Sequence, residues 1–297
     1  MSRMPTLLLI RGLGHSGTTI LDLALGAHPQ VMGLGEAARI LETPKPGEET
    51  RGPAMLRGSH RYERRCTCGQ IAAECPIWGP ALDELRLNDD QPLTEKMRRL
   101  LQRTTQHRVE QGRDVSVVVD SFQDDLLLPT QLPSEMDVRI IHLVRDVRSW
   151  LHSRLKSARQ SQRLFADSRT LARWWYVNRK FERSLQLSGR PVFRLGYEEL
   201  ALRPFASLSL ICDWLELPFS ESMLKPGLNS QSHILSGNRV RFDVQRSRSI
   251  TYDYSWLRST HWMVQMTPFM PFIQAMNQKL VYSNFQQLND FPCADKY

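Results

Sequence analysis

Apolar residues run unbroken through Leu7-Leu8-Leu9-Ile10, and glycines punctuate the next stretch, Gly12-Leu13-Gly14-His15-Ser16-Gly17. Helical apolar spacing then begins at Ile20, Leu21, Leu23 and Ala24. This pattern predicts a short buried strand, a tight loop and a helix. His28-Pro29 predicts the helix stop, followed by a short second strand and a glycine turn (Gly33-Leu34-Gly35) that presents Glu36. Leu93, Met97, Leu100 and Leu101 predict a helix over 93–111, ended by Gly112. Val115 to Val119, β-branched apart from Ser116, reads as a buried parallel strand that delivers Asp120 and Ser121 at its end. Val138 to Val144 is a second such strand, delivering Arg145 and Asp146. A helix pair over 147–187 follows, with Trp150, Leu151, Leu155, Trp174, Trp175 and Phe181 as its apolar face. Val192 to Leu195 predicts a last strand, and Pro204 to Leu215 a helix with proline in its first turn.

Strands alternating with helices imply an α/β sheet with right-handed crossovers, in which ligands sit outside the carboxyl ends of the strands. The glycine loop, Asp120-Ser121 and Arg145-Asp146 all fall at that edge. Residues 43–92 are rich in Pro, Gly and charge and hold no sustained period, so they read as an insertion in a single domain spanning 1–297. The net charge is +8, supplied mostly by arginine, and favours an anionic ligand. No nucleic-acid recognition motif accompanies that charge, so no nucleic-acid partner is expected. Leu7–Ile10 is too short for a signal sequence, and no run approaches the ~20 apolar residues of a membrane span. A cytoplasmic protein is the expectation.

A strand, a glycine-rich loop and a helix N-terminus together form an anion site, because successive backbone N–H groups and the helix dipole converge there. Gly12 and Gly17 have the spacing of G-x-x-x-x-G-K-[ST], but Thr18 stands at the lysine position that normally reaches a triphosphate. The loop therefore suits a phosphate and argues against ordinary ATP chemistry. Cys66, Cys68 and Cys75 form C-x-C-x6-C, with no fourth ligand at a standard zinc spacing. Packed or free thiols are expected there, no metal is expected, and His233 reads as a surface or loop histidine.

These motifs, in this order, resemble the sulfotransferases that use 3′-phosphoadenosine 5′-phosphosulfate (PAPS), over most of the chain. Gly-x-Gly-His-Ser-Gly-Thr-Thr is similar to the family's 5′-phosphosulfate loop. Val144-Arg145-Asp146-Val147-Arg148-Ser149-Trp150-Leu151-His152-Ser153 resembles its 3′-phosphate motif, with Arg145 and Ser153 as the phosphate ligands. Ser236-Gly237-Asn238-Arg239-Val240-Arg241 resembles a segment that closes over the nucleotide, and the cysteine stretch resembles an insertion of bacterial sulfotransferase-like proteins. The resemblance implies a P-loop-type central parallel sheet flanked by helices, a three-layer α/β/α fold. It also implies PAPS as the sulfuryl donor, with Arg11, Gly12, Gly14, His15, Ser16, Gly17, Thr18, Thr19, Arg145, Ser153, Asn238, Arg239 and Arg241 as the nucleotide ligands. PAPS has no γ-phosphate, which explains the missing lysine.

The implied reaction is in-line transfer of a sulfuryl group to a hydroxyl or amine. Glu36 resembles the family's base in a Gly-Glu segment; the alternative is a glutamate that only caps the next helix. Relatives often carry Arg at the position of His15 and Lys at that of Gln123. The cation at the leaving group is then His15, Arg11 or another arginine, and His15 alternatively acts as a neutral donor. Asp120 and Ser121 organise the site, or Asp120 serves as a second base. Trp174, Trp175, Tyr176, Tyr252, Tyr254 and Trp256 either line an acceptor pocket or belong to the core. The expected acceptor is a small molecule, a glycan or a lipid. Two other readings compete: a degenerate P-loop kinase or NTPase with Asp120 on Mg²⁺, and an inactive nucleotide-binding scaffold.

Overall fold

The structure, a computed structural model, describes residues 4–43, 60–123, 125–157 and 164–291. Part of the expected insertion (44–59), the junction of the expected helix pair (158–163) and the last residues of the aromatic-rich tail (292–297) lie outside them. Five strands, β1 (Thr6–Arg11), β2 (Val31–Gly33), β3 (Val117–Asp120), β4 (Val138–Val144) and β5 (Val192–Gly196), form one sheet in the order β2-β3-β1-β4-β5. All four pairings are parallel. Among the helices are α1 (Thr18–Leu25), α2 (Ala37–Leu41), α3 (Trp78–Leu87), α4 (Leu93–Glu110), α5 (Val147–Ser157), α6 (Leu164–Leu187), α7 (Tyr197–Leu202), α8 (Pro204–Leu215) and α9 (Pro271–Val281).

The unbroken apolar runs form strands because both faces of the sheet are covered. Leu7 and Leu9 of β1 pack with Val118, Val138 and Ile140 against Ala37, Trp78, Leu82 and Met97 from α2, α3 and α4. Leu8 and Ile10 point the other way, packing with Val119, Ile141 and Leu143 against Leu21 of α1 and Leu208 and Ile211 of α8. Side chains of successive strand residues alternate between the faces, so one strand serves both layers. A third cluster joins Trp150, Leu151 and Trp174 of α5 and α6 to Ile273 and Leu280 of α9. The result is a three-layer α/β/α arrangement: the alternation of elements predicted the α/β sheet, and the resemblance implied the layers. Among the described residues no helix is long and apolar enough to cross a membrane.

The chain leaves β1 toward β3 and β2 on one side and later returns to add β4 and β5 on the other. The loops after β1 and β4 therefore diverge at the middle of the sheet, where a parallel α/β fold opens a crevice. Gly12 lets these two loops approach: a Cβ there would stand 2.2 Å from the carbonyl oxygen of Leu143 in β4.

Candidate active site

A cleft of about 960 Å³ opens at the carboxyl edge of the sheet. Its floor is the glycine loop, represented by Gly14, His15, Gly17, Thr18 and Thr19. Gly17 has φ +94°, and a Cβ there would lie 2.7 Å from the ring of Tyr197, so both backbone and space require glycine. The helix that follows, α1, begins without a side-chain cap; Ile20 N–H donates to the Gly17 carbonyl at 3.1 Å, which leaves the N–H groups of Thr18 and Thr19 to face a ligand. Gln123 donates through Nε2 to Thr18 Oγ1 (3.0 Å), and both side chains line the cleft.

Arg145, at the end of β4, extends its guanidinium across this loop. Nε donates to Ser149 Oγ at 2.7 Å, Nη1 to the His15 carbonyl at 3.2 Å, and Nη2 to Asp253 at 3.0 Å. The guanidinium also lies 4.8 Å from the centre of the Tyr197 ring. Two turns into α5, Ser153 Oγ is 3.5 Å from His15 Nδ1, and Arg154 Nη1 is 3.3 Å from His15 Nε2. His15 adopts φ +74°, a left-handed backbone that turns its ring toward α5. Burial lowers its pKa below the ordinary 6.5, and the charges of Arg154 and Arg145 lower it further. Both effects favour the neutral imidazole over the imidazolium.

On the opposite wall Glu36 occupies the position just before α2, yet its side chain makes no capping hydrogen bond. It lines the cleft instead, at 9% exposure. Its Oε2 accepts from Ser236 Oγ (2.6 Å) and Arg39 Nη1 (2.6 Å). The backbone repeats the link, Glu36 N–H donating to the Ser236 carbonyl at 3.1 Å. Gly35 makes this approach possible, because a Cβ there would stand 2.5 Å from both Ile234 Cγ2 and the Ser236 carbonyl oxygen. The segment continues over the floor, where Asn238 N–H donates to Thr19 Oγ1 at 3.2 Å.

Comparison with known proteins adds the family. A sequence profile described as the sulfotransferase family matches residues 8–221. The chain belongs to the sulfotransferase family. Among solved structures, the sulfotransferase domain of the Synechococcus olefin synthase is 18% identical, with 98% of each chain covered and a TM-score of 0.51, which bears on the fold. The sulfotransferase domain from the curacin biosynthetic pathway is 17% identical over 98% of this chain and 100% of its own, with a TM-score of 0.45. No curated protein matches the chain in sequence.

Within this family member most residues singled out from the sequence meet in one place. Gly14, His15, Gly17, Thr18, Thr19, Glu36, Arg145, Ser153 and Asn238 all line the cleft. Others do not. Arg11 is fully buried, its Nη1 paired with Asp120 Oδ2 at 2.9 Å and its Nε donating to the Asp125 carbonyl, so it holds loops together beneath the site and does not line the cleft. Asp120 is equally committed: its Oδ1 accepts from Ala38 N–H at 2.9 Å, capping α2. Ser16 is buried, and Gly12 serves the packing of β1 on β4. Arg241 donates to the carbonyls of Asn238 (3.1 Å) and Leu235 (3.3 Å), and burial lowers its pKa to about 10, so it shapes the covering segment from behind. Arg239 is exposed and outside the lining. The aromatic set divides: Trp174 is core and donates to the Arg145 carbonyl (3.1 Å), Tyr176 is exposed, and Tyr252 and Tyr254 line the cleft. Trp256 donates to Tyr252 Oη at 2.7 Å.

Several cleft residues carry no sequence signal of their own. Asp253, Thr251 and Tyr197 belong to segments with no recognisable motif, and Tyr197 Oη donates to the Thr251 carbonyl at 3.1 Å. Asp22, buried beneath the loop, accepts from Ser121 Oγ (2.7 Å) and Gly35 N–H (3.1 Å), and burial raises its pKa to about 7. An Asp inside an apolar helical stretch signals a buried partner, and that is the only clue the sequence offers.

Proposed function

We propose that the chain transfers the sulfuryl group of PAPS to a hydroxyl or amine, with Glu36 as the base. The observation that carries this reading is the meeting of the glycine loop with Arg145 and Ser153 in one cleft that also holds Glu36. The uncapped first turn of α1 suits the 5′-phosphosulfate. Arg145, held in orientation by Ser149, suits the 3′-phosphate as a planar charged fork, with Ser153 as a second donor.

In the proposed reaction Glu36 takes the proton of the acceptor as the acceptor atom bonds to sulfur. The bond between sulfur and the bridging oxygen breaks, and 3′-phosphoadenosine 5′-phosphate (PAP) leaves with the electron pair. Among the described residues the hydrogen bonds to the Glu36 carboxylate fall on Oε2, which leaves Oε1 for the incoming proton. Charge developing on the bridging oxygen is met by loop N–H groups and by the His15 imidazole. In its neutral form that ring offers one N–H, and the negative charge of the donor favours its protonation.

The kinase reading is disfavoured by the placement of Asp120, whose carboxylate is buried against Arg11 and the start of α2 and not presented to the cleft. The test is incubation with PAPS and a fractionated extract of small molecules, glycans and lipids, followed by a search for a mass gain of one sulfo group. Appearance of such a product, with a thermal shift by PAP and none by ATP with Mg²⁺, supports the reading. A PAP shift without any product supports the inactive scaffold. Stabilisation by ATP with Mg²⁺ alone would overturn the donor assignment.

A further inference from the structure

The cysteine insertion has no part in the chemistry above, yet it is laced to the segment that covers the cleft. Cys66 N–H donates to the Gln70 carbonyl (2.8 Å) and Gly69 N–H to that of Cys66 (3.0 Å), so Cys66-Thr67-Cys68-Gly69 is a tight turn with Gly69 at φ +95°. Within it the Cys68 N–H meets the Cys66 sulfur and the Gln70 N–H meets the Cys68 sulfur. Cys75 enters from the far side, and a fourth group comes from a distant part of the chain. His233 places Nδ1 3.2 Å from Cys75 Sγ and 3.9 Å from Cys66 Sγ. Cys66 and Cys75 are 3.7 Å apart and unbonded, and the four ligand atoms all lie within 4.8 Å of one another.

We propose that Cys66, Cys68, Cys75 and His233 hold a structural zinc ion. With Zn–S near 2.3 Å and Zn–N near 2.0 Å, a tetrahedral site has edges of about 3.8 Å between two thiolates and about 3.6 Å between thiolate and imidazole. The observed separations of 3.7, 3.2 and 3.9 Å bracket those edges, so an ion fits at the centre with small side-chain adjustments. A disulfide would need sulfur atoms about 2.05 Å apart. Three thiolates and an imidazole are a soft donor set that favours zinc over magnesium or calcium, and four protein ligands leave no open position for catalysis.

The consequence for the cleft follows from what His233 is attached to. Its N–H donates to the Gly33 carbonyl at 2.8 Å, and its own carbonyl accepts from Trp78 Nε1 at 2.6 Å. Thr67 Oγ1 accepts from Ile234 N–H at 2.9 Å, and Arg64 Nε donates to the Leu235 carbonyl at 3.0 Å. Three residues beyond His233 stands Ser236, which holds Glu36. Zinc would therefore pin the covering segment at one end and fix Ser236 against the carboxylate, whatever acceptor the cleft takes.

The test uses the full chain, purified under reducing conditions without a metal-affinity step. Elemental analysis should return one zinc per chain, released in step with titration of three thiols by a mercurial. Cys75→Ser and His233→Ala should each carry less zinc by about tenfold or more, while Cys212→Ser, altered at a buried thiol beside Met223, should keep it. Should the ligand variants fail to fold, reconstitution of the wild-type apoprotein with Co²⁺ decides the matter. Strong visible bands and a thiolate-to-cobalt charge-transfer band mark the tetrahedral site. Folded wild-type protein that lacks stoichiometric zinc and takes up no cobalt would overturn the proposal. So would a Cys66–Cys75 disulfide in the reduced preparation.

Discussion

At the scale of single residues, the cleft sorts carboxylates and guanidiniums that look alike in the sequence. Arg11 and Arg145 both end a strand, but Arg11 is buried against Asp120 while Arg145 lies over the glycine loop. Glu36 and Asp120 differ the same way, one facing the cleft and one capping a helix. Glu36→Gln keeps the shape and the Ser236 contact but removes the proton acceptor. It should lower turnover by about 10²-fold or more while PAP affinity, read by calorimetry, stays within a few-fold. Arg145→Ala removes a charged fork, an interaction worth about 1.5–3 kcal/mol. It should weaken PAP binding by about ten- to a hundredfold and leave adenosine 5′-phosphate binding nearly unchanged. Equal losses for the two nucleotides would detach Arg145 from the 3′-phosphate. His15 is subtler: burial and two arginines lower its pKa, so the negative charge of added PAP should raise it, an effect visible in an imidazole NMR titration.

At the scale of elements, the strand ends do the positioning, and the glycines between them set how closely they approach. Gly17 combines φ +94° with a Cβ position 2.7 Å from Tyr197, so Gly17→Ala strains the loop and displaces the ring that lies under Arg145. We expect a stability loss of about 1–3 kcal/mol and disappearance of the thermal shift by PAP. Gly112 has φ +68° at the end of α4, where a Cβ meets nothing. Gly112→Ala should therefore show the backbone penalty alone and keep the PAP shift. The strands and the loop were legible in the sequence because each is a local signal, an apolar run or a glycine spacing, whereas Arg145 with Ser153 stood out through the resemblance of 144–153 to a family motif. Arg11 was misplaced because its guanidinium is positioned by Asp120, a partner 109 residues away that no local pattern reveals. His233 was illegible for the same reason, lying 158 residues from Cys75. Thr251 and Asp253 line the cleft from a stretch without regular periodicity, whose only readable signal is the aromatic pair Tyr252 and Tyr254 on either side of Asp253.

At the scale of the whole molecule, the carboxyl edge of the sheet is tied together by a buried acid, and that choice makes stability depend on pH. Asp22 of α1 accepts from Ser121 after β3 and from Gly35 after β2, joining three segments beneath the cleft. Burial raises its pKa from the ordinary 3.8 to about 7. The folded chain therefore keeps this proton across a range in which the unfolded chain has already released it. Stability falls wherever the unfolded state binds fewer protons, so the penalty begins near pH 4, grows through the interval and is complete above about pH 7. Asp22→Asn retains an oxygen to accept from both donors and carries no charge to bury. Its stability advantage over the wild type should widen by about 2–3 kcal/mol between pH 5 and pH 8, measured by urea unfolding at each pH. Glu198, whose pKa burial raises to about 8, acts in the same sense but is present in both proteins and cancels from the difference. A gap that stays constant with pH would mean that Asp22 ionises at its ordinary value and that its two donors, not burial, set its state. A gap that widens would show that the edge carrying the cleft is held most firmly while Asp22 keeps its proton.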